Sequence, residues 1–256
     1  MKEGYKNVFV DEKENYIYHL ARRRHMSTDS INLKGLLLHS PEARMGLSRH
    51  FYQALLGKTF KLEQHDQSQL HYFSWIENLI IELYPSPEKI VSSFALQFLT
   101  TDIDSVLQRM KGSSFQPKAV HDRKNVTYSD PEDRNVRLHG VESDAPCLRL
   151  DEVALHTQHP VENRAFYQLL LEMPFTEQSY GDGQVPFYSA RSNDVTLKLW
   201  PDNLPITPSP SLFFTCSDLA QVRSRMGDYS KDWKQINDVE ARLLDRDERK
   251  IILYQR

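Results

Sequence analysis

The sequence predicts an α+β protein in which one domain occurs twice, each copy consisting of two βαβββ units. Three observations support this prediction. Short motifs recur at offsets of 115 or 116 residues, apolar residues alternate between strand-like and helix-like spacing, and 256 residues are enough for two domains of ordinary size. The predicted copies span residues 31–140 and 148–256, residues 141–146 link them, and residues 1–30 form an N-terminal extension.

The repeat rests on four motifs that keep their order and nearly their spacing. The motifs pair residues 51–53 (Phe-Tyr-Gln) with 166–168, 79–83 with 195–199, 102–110 with 218–226, and 130–138 with 245–253. A single match of this length would mean little. Four matches in almost constant register indicate two copies of one domain.

The first unit begins with an apolar strand at residues 31–38. Ser40 then supplies an N-cap and Pro41 the first helical position, and apolar residues recur at helical spacing until Gly57. Three short strands complete the unit, and they are predicted at residues 60–64, 70–76 and 79–84. The order of elements is therefore βαβββ.

The second unit repeats this order, with a strand at residues 93–99, a helix opening at Asp102, and strands within residues 126–138. The same pattern recurs in the second copy. The four helices should begin near Pro41, Asp102, Pro160 and Asp218. Each helix is expected on the outer face of a sheet.

The composition argues against several classes of partner and site. The chain has 32 Lys and Arg against 35 Asp and Glu, a net charge of −3, so no basic surface for nucleic acid or an anionic membrane is expected. No apolar run approaches the ~18 to 20 residues that cross a bilayer, and residues 1–18 lack a secretory pattern. We therefore expect a cytoplasmic monomer or homodimer. Cys147 and Cys216 are too few for a disulfide scaffold and lack the spacing of a zinc site.

Three of the repeated features together resemble a known superfamily. They are the strand and helix ending in Phe-Tyr-x-x-Leu-Leu at residues 36–57, the Asp-hydrophobe pair at Asp102, and the closing strand after Asp130-Pro131. With their counterparts in the second copy, they are similar to the glyoxalase, bleomycin-resistance and extradiol-dioxygenase superfamily, whose fold is called vicinal oxygen chelate. The resemblance implies tandem glyoxalase-like domains with cup-shaped mixed sheets. The four-unit layout also resembles, more weakly, the CppA-type proteins.

Enzymes of this superfamily bind a divalent metal through His, Glu or Gln side chains on the first and last strands of each unit. The resemblance places these positions on Gly35, Glu82, Ala95 and Arg137 in the first copy and on Glu152, Lys198, Ser211 and Ile252 in the second. Each set has one good ligand, whether units pair within a copy or across copies. We therefore expect no metal and no other cofactor. A misalignment by two residues would instead bring His39, His139 or His156 toward a cup.

Acidic and basic residues occur together at these positions. Glu82 is expected to face Arg137, and Glu152 is expected to face Lys198. Each basic side chain would then take the place of the metal and neutralise a carboxylate, which a buried charge requires. The four residues are the predicted ligand-binding residues. The alternative is that they form ordinary cross-strand pairs on the surface.

The leading functional hypothesis is a metal-free protein that binds a small organic molecule in one or both cups, as the resemblance to the bleomycin-resistance branch implies. Two alternatives stay open. One is a glyoxalase- or dioxygenase-like enzyme with a divalent metal, and the other is a CppA-type interaction protein or proteinase. The sequence assigns no catalytic residue and favours a protein that is not an enzyme.

Overall fold

Two eight-stranded sheets of mixed parallel and antiparallel pairing organise the part of the chain that the computed structural model describes. That part comprises residues 31–64, 70–77, 79–86, 93–143, 145–181, 185–192, 194–203 and 209–256. The predicted N-terminal extension, residues 1–30, lies outside it. The predicted α+β class with four βαβββ units is confirmed.

Residues 31–140 contain the first two units. Their strands are β1 Asn32–Pro41, β2 Lys61–Glu63, β3 His71–Trp75, β4 Ile80–Ser86, β5 Phe94–Thr100, β6 Ala119–Val120, β7 Asn125–Ser129 and β8 Asn135–Gly140. Helix α1 covers Met45–Leu56 after a short 3-10 turn at Glu42–Arg44, and helix α2 covers Ile103–Gly112.

Residues 148–256 contain the other two units. Their strands are β9 Leu148–Thr157, β10 Thr176–Gln178, β11 Phe187–Ser192, β12 Val195–Pro201, β13 Ser211–Cys216, β14 Lys234–Asn237, β15 Glu240–Leu244 and β16 Lys250–Gln255. Helix α3 covers Pro160–Leu171, and helix α4 covers Leu219–Met226 before a 3-10 turn at Gly227–Asp232. No helix in the described part of the chain is long and apolar enough to cross a membrane.

The predicted starts of the helices are met, with one correction. The Asp102 carboxylate accepts a hydrogen bond from the Ser105 amide, and the Asp218 carboxylate caps α4 in the same way. Ser40, however, does not cap α1, because it still belongs to β1. Its hydroxyl donates instead to Glu132 Oε1 at 2.8 Å.

Each sheet combines one unit from each copy of the repeat. Sheet 1 has the order β14-β15-β16-β13-β1-β4-β3-β2, and sheet 2 has the order β10-β11-β12-β9-β5-β8-β7-β6. The units join along the antiparallel pairs β1–β13 and β5–β9. The prediction that Glu82 faces Arg137 is therefore wrong, because Glu82 lies on β4 of sheet 1 and Arg137 on β8 of sheet 2.

The four helices lie between the two sheets, because the helices of one sheet pack against those of the other. The expectation that each helix lies on an outer face is therefore wrong. Helix α1 packs on β1 and β4 and against α2, which packs on β8, while α3 packs on β11 and β12 and against α4, which packs on β16. The main core lies in this layer and includes Leu36, Phe51, Phe98 and Leu155. The other face of each sheet points away from the helices. We call these two faces cup 1, on sheet 1, and cup 2, on sheet 2.

Two of the repeated motifs contact each other in space and join the sheets. The Tyr52 hydroxyl on α1 donates to Asp130 Oδ2 at 2.8 Å, and Asp130 also binds the fully buried Arg134 in the β7–β8 turn. The second copy has the same arrangement, because Tyr167 on α3 donates to Asp245 Oδ2 at 2.9 Å in the β15–β16 turn. Each pair ties a helix on one sheet to a hairpin of the other.

Candidate functional site

Cup 2 contains a cavity of about 230 Å³ over the centre of sheet 2. Its floor is formed by Ala95 on β5 and Ala154 on β9, which are direct partners across the antiparallel seam. Both side chains point away from the helices because their neighbours Leu96 and Val153 are in the main core. The cavity is present because these two neighbouring side chains are only methyl groups.

An ion pair borders the cavity on one side. The Lys198 Nζ atom on β12 lies 2.6 Å from Glu152 Oε2 on β9, and the two side chains are 13% and 11% exposed. The Lys198 ammonium also donates to the Tyr180 hydroxyl at 2.9 Å. Burial lowers the pKa of Lys198, but the hydrogen bonds to Glu152 and Tyr180 outweigh it, so the pKa is raised and the lysine stays charged. The predicted pairing of Glu152 with Lys198 is present, and their role in ligand binding stays a prediction.

Aromatic side chains extend this side of the cavity. Trp200 stands two residues after Lys198 on the same face of β12, and its ring stacks on Phe187 with centroids 4.7 Å apart. The Tyr180 ring lies 5.6 Å from Trp200. Trp200 and Tyr180 both line the cavity, whereas Phe187 is covered by them.

Polar side chains line the opposite side. Arg137 and Asn135 on β8 and Gln97 on β5 point into the cup. The Gln97 amide donates to Asp151, and Asn135 accepts a hydrogen bond from Lys118. Arg137 forms no hydrogen bond or ion pair with any residue in the described part of the chain. Its exposed guanidinium is therefore available to a ligand.

His156 lies beyond Ala154 on the same face of β9 and also lines the cavity. Its Nδ1 atom is 3.0 Å from Asp202 Oδ2. Burial, together with the charge of Arg249, lowers the pKa of His156, and the Asp202 carboxylate raises it. The net direction is downward, so the imidazole is neutral near pH 7. His156 therefore offers a hydrogen bond to a ligand but no charge.

Cup 1 has the same strand arrangement, but its described residues form a cluster of larger apolar side chains. Leu37 occupies the position that Ala154 has in cup 2, and the members of the cluster are Leu37, Phe73, Ile80, Phe213, Ile252 and Tyr254. At Gly35 even a Cβ atom would lie only 2.6 Å from Ile80 Cγ2. Glu82 is buried on this face. Burial, and then the charge of the Glu82 carboxylate, raise the pKa of the neighbouring Tyr84. The contrast leaves cup 2 as the candidate site.

The positions that would hold a divalent metal do not suit one. Pairing of the units across the copies brings Ala95, Arg137, Glu152 and Lys198 together in cup 2, and places Gly35, Glu82, Ser211 and Ile252 in sheet 1. The single carboxylate of the cup 2 set, Glu152, is already bound by the Lys198 ammonium ion. The positive charge of Lys198 opposes the binding of a metal cation at the same carboxylate. Among the described residues, no group of three His, Cys, Asp or Glu side chains is placed to hold a metal.

The histidines considered as substitute ligands are separated. His39 lies in sheet 1, whereas His156 and His139 lie on β9 and β8 of sheet 2. Only His156 lines the cup 2 cavity, and its ring binds Asp202. His139 binds the Asn125 side chain. The shifted alignment therefore does not assemble a metal site either.

Sequence reasoning missed part of this site. Trp200 and Ala154 line the cavity but are not among the predicted ligand-binding residues. A signal was present, because both residues stand two positions from predicted site residues and so share their strand face. The alanines could have been found by asking which cup-facing positions carry small side chains.

Comparisons with known proteins support the fold. No protein-family model matches the sequence, and no curated protein matches it. Among solved structures, glyoxalase I from Zea mays is 13% identical, with 89% of this chain and 93% of that chain covered and a TM-score of 0.67. A proposed dioxygenase from Bacillus subtilis is 11% identical, with 90% and 86% covered and a TM-score of 0.61.

A third solved structure is the CppA protein from Streptococcus pneumoniae, which is 11% identical, with 89% of this chain and 99% of that chain covered and a TM-score of 0.50. At such identities the likeness concerns the fold and not the reaction. The two sheets, the four βαβββ units and these similarities agree: the chain has the vicinal oxygen chelate fold seen in glyoxalase I.

Proposed function

We propose that the protein binds a small organic molecule in cup 2 and does so without a divalent metal. The observation that carries this proposal is the contrast between the two cups. In cup 1 Leu37 stands where cup 2 has Ala154 and belongs to a cluster of apolar side chains, whereas in cup 2 the small side chains of Ala95 and Ala154 leave a cavity of about 230 Å³. A concave site with a few polar groups among aromatic side chains is the usual form of a ligand pocket.

The metal-free part of the proposal rests on the donor set. Lys198 binds the only carboxylate among the four aligned positions of cup 2, and Arg137 adds a second positive charge to the same cavity. Both charges would repel a divalent ion. The Arg137 guanidinium is suited to hold oxygen atoms of a ligand directly. The proposed activity is therefore binding, with no reaction step assigned.

The metalloenzyme hypothesis makes a different prediction, namely a stoichiometric divalent metal in the purified protein. The CppA-type hypothesis predicts cleavage or binding of a protein with cup 2 uninvolved. Neither alternative has a specific feature of the described residues in its favour. Both become outcomes of the experiment that follows.

The test is a thermal-shift and NMR screen of small metabolites against metal-free protein, followed by the Ala154→Leu variant. Leucine at position 154 copies Leu37 of cup 1 and should abolish binding. The matched control is Ala220→Leu, the same change at an exposed position on α4. Hits that bind both variants equally, or binding that needs an added divalent metal, would overturn the proposal.

A further inference from the structure

We infer that the ligand of cup 2 is a small planar aromatic anion, such as an aryl carboxylate, bound between the Trp200 ring and the Arg137 guanidinium. This inference rests on the proposed function and goes further by naming a ligand class. It depends on three features of the cavity, namely its aromatic side, its charge and its size.

The aromatic side favours a flat, unsaturated ligand. Trp200 is held in place by its 4.7 Å stack on the buried Phe187, and the Tyr180 ring lies beside it. Lys198 contacts the rings of Tyr180 and Phe187 at 5.4 and 5.2 Å, which fixes this group of rings further. A rigid indole at the edge of a cavity stacks on planar rings better than on saturated ones.

The charge at the Arg137 side of the cavity favours an anion. The Lys198 and Glu152 charges neutralise each other. His156 is neutral because burial lowers its pKa, and the Asp202 carboxylate that its ring binds lies at the Trp200 side, away from Arg137. Asp151, next to the cavity, is neutralised by Arg191. Arg137 is thus the charge that a ligand can pair with, and Lys118 adds a second cation nearby through Asn135.

Arg137 is also the better of the two cavity cations for a carboxylate. Its planar guanidinium can donate two parallel hydrogen bonds, whereas the Lys198 ammonium already donates to Glu152 and Tyr180. The ligand's anionic group should therefore lie at the Arg137 side of the cup. Its ring should lie over Ala154 and toward Trp200.

The dimensions agree with a molecule of one ring or two fused rings. Trp200 and Arg137 lie on strands separated by β9 and β5, so three strand spacings, or roughly 14 Å, divide them across the sheet. The strand registers also place them at different levels along the strands, so both long side chains must reach toward the floor of the cup. An apolar cavity of ~150 Å³ holds benzene. The cavity of about 230 Å³ therefore has space for an aromatic ring with a short charged substituent.

The test is isothermal titration calorimetry with four probes of similar size: benzoate, benzamide, cyclohexanecarboxylate and benzylamine. Benzoate should bind the wild-type protein at least ~10-fold more tightly than the neutral, saturated and cationic probes, because only benzoate uses both sides of the cup. Arg137→Gln should weaken benzoate by ~10-fold and leave benzamide within about 2-fold. Trp200→Leu should weaken benzoate but not cyclohexanecarboxylate.

The matched control is Arg242→Gln, which removes the same charge from the face of cup 1 and should change none of the affinities. Equal binding of benzamide and benzoate, or benzoate binding that Arg137→Gln leaves unchanged, would overturn the inference. If the four probes bind weakly, the metabolite screen decides. If the metabolites that bind the wild-type protein but not the Ala154→Leu variant are aromatic anions, the inference is supported. If those metabolites are neutral or cationic, the inference is contradicted and the proposed function still holds. An absence of any such hit contradicts both.

Discussion

Lys198 Nζ lies 2.6 Å from Glu152 Oε2 across the parallel strands β12 and β9. Both residues stand at positions that the resemblance assigns to metal ligands. The pair is mostly buried but borders a cavity, so it is neither a dry core pair nor a surface pair. Its two partners depend on each other, because removing one leaves the other charge largely desolvated.

We therefore expect Lys198→Met to lower the free energy of unfolding by about 2 kcal/mol, between the values typical of exposed and buried pairs. The reason is the uncompensated Glu152 carboxylate. Denaturant unfolding would measure the loss. The double variant Glu152→Gln with Lys198→Met should recover most of it, since no isolated charge is left. A double variant as unstable as the sum of the two single variants would show that the residues do not interact.

The buried tyrosines that join the sheets give a second prediction. Tyr167→Phe and Tyr52→Phe should each lower the free energy of unfolding by about 1 to 2 kcal/mol, because Asp245 or Asp130 then loses a hydrogen bond in a buried site. The matched control is Tyr188→Phe, whose ring packs under Arg164 and whose hydroxyl makes no hydrogen bond with the described residues. Equal losses in all three variants would contradict this account of the Tyr–Asp contacts.

A larger loss is expected for Asp130→Ala. Both side chains of the Asp130–Arg134 pair are fully buried, so the substitution leaves a buried guanidinium without its carboxylate. The free energy of unfolding is expected to fall by about 3 to 5 kcal/mol. Chemical denaturation checks this value, and a cost below that of Tyr52→Phe would contradict it.

The stability of the protein should fall as the pH drops from 6.5 toward 4. Burial, then the charges of Lys250 and Arg134, lower the pKa of His39 from 6.5 to about 4. The folded state therefore disfavours the proton that the unfolded chain takes up in this range, and the stability present above pH 6.5 is lost below it. In the His39→Gln variant, the free energy of unfolding lost between pH 6.5 and 4 should be smaller than in the wild-type protein by roughly 1 to 3 kcal/mol. The control variant His50→Gln, at an exposed position, should lose as much as the wild-type protein.

The sequence carried enough information to predict the repeat, the order of elements and the fold. The spacing of apolar residues indicates which face of a strand is buried. The recurrence of the Tyr52 motif at Tyr167 indicates that the domain is duplicated. The Glu152–Lys198 pair could be predicted because both residues belong to one unit, in which β9 and β12 are neighbours in the sheet.

Contacts between units could not be predicted in this way. Strand periodicity does not say which unit completes a sheet, so Glu82 and Arg137 were assigned to one cup although they lie on different sheets. The same limit applies to Ser40, whose hydroxyl binds Glu132 on the β7–β8 turn of another unit rather than capping the helix that follows it. The cavity was missed because it results from two small residues, Ala95 and Ala154, that meet only when the second and third units pair.

The central claim is that cup 2 binds a small molecule without a metal. The most direct measurement is an NMR titration of EDTA-treated protein with a hit from the metabolite screen, with shifts mapped onto both sheets. The account predicts saturable shifts at the Trp200 indole and along β5, β8, β9 and β12, with cup 1 unchanged. Shifts confined to cup 1, or shifts that occur only after a divalent metal is restored, would contradict it.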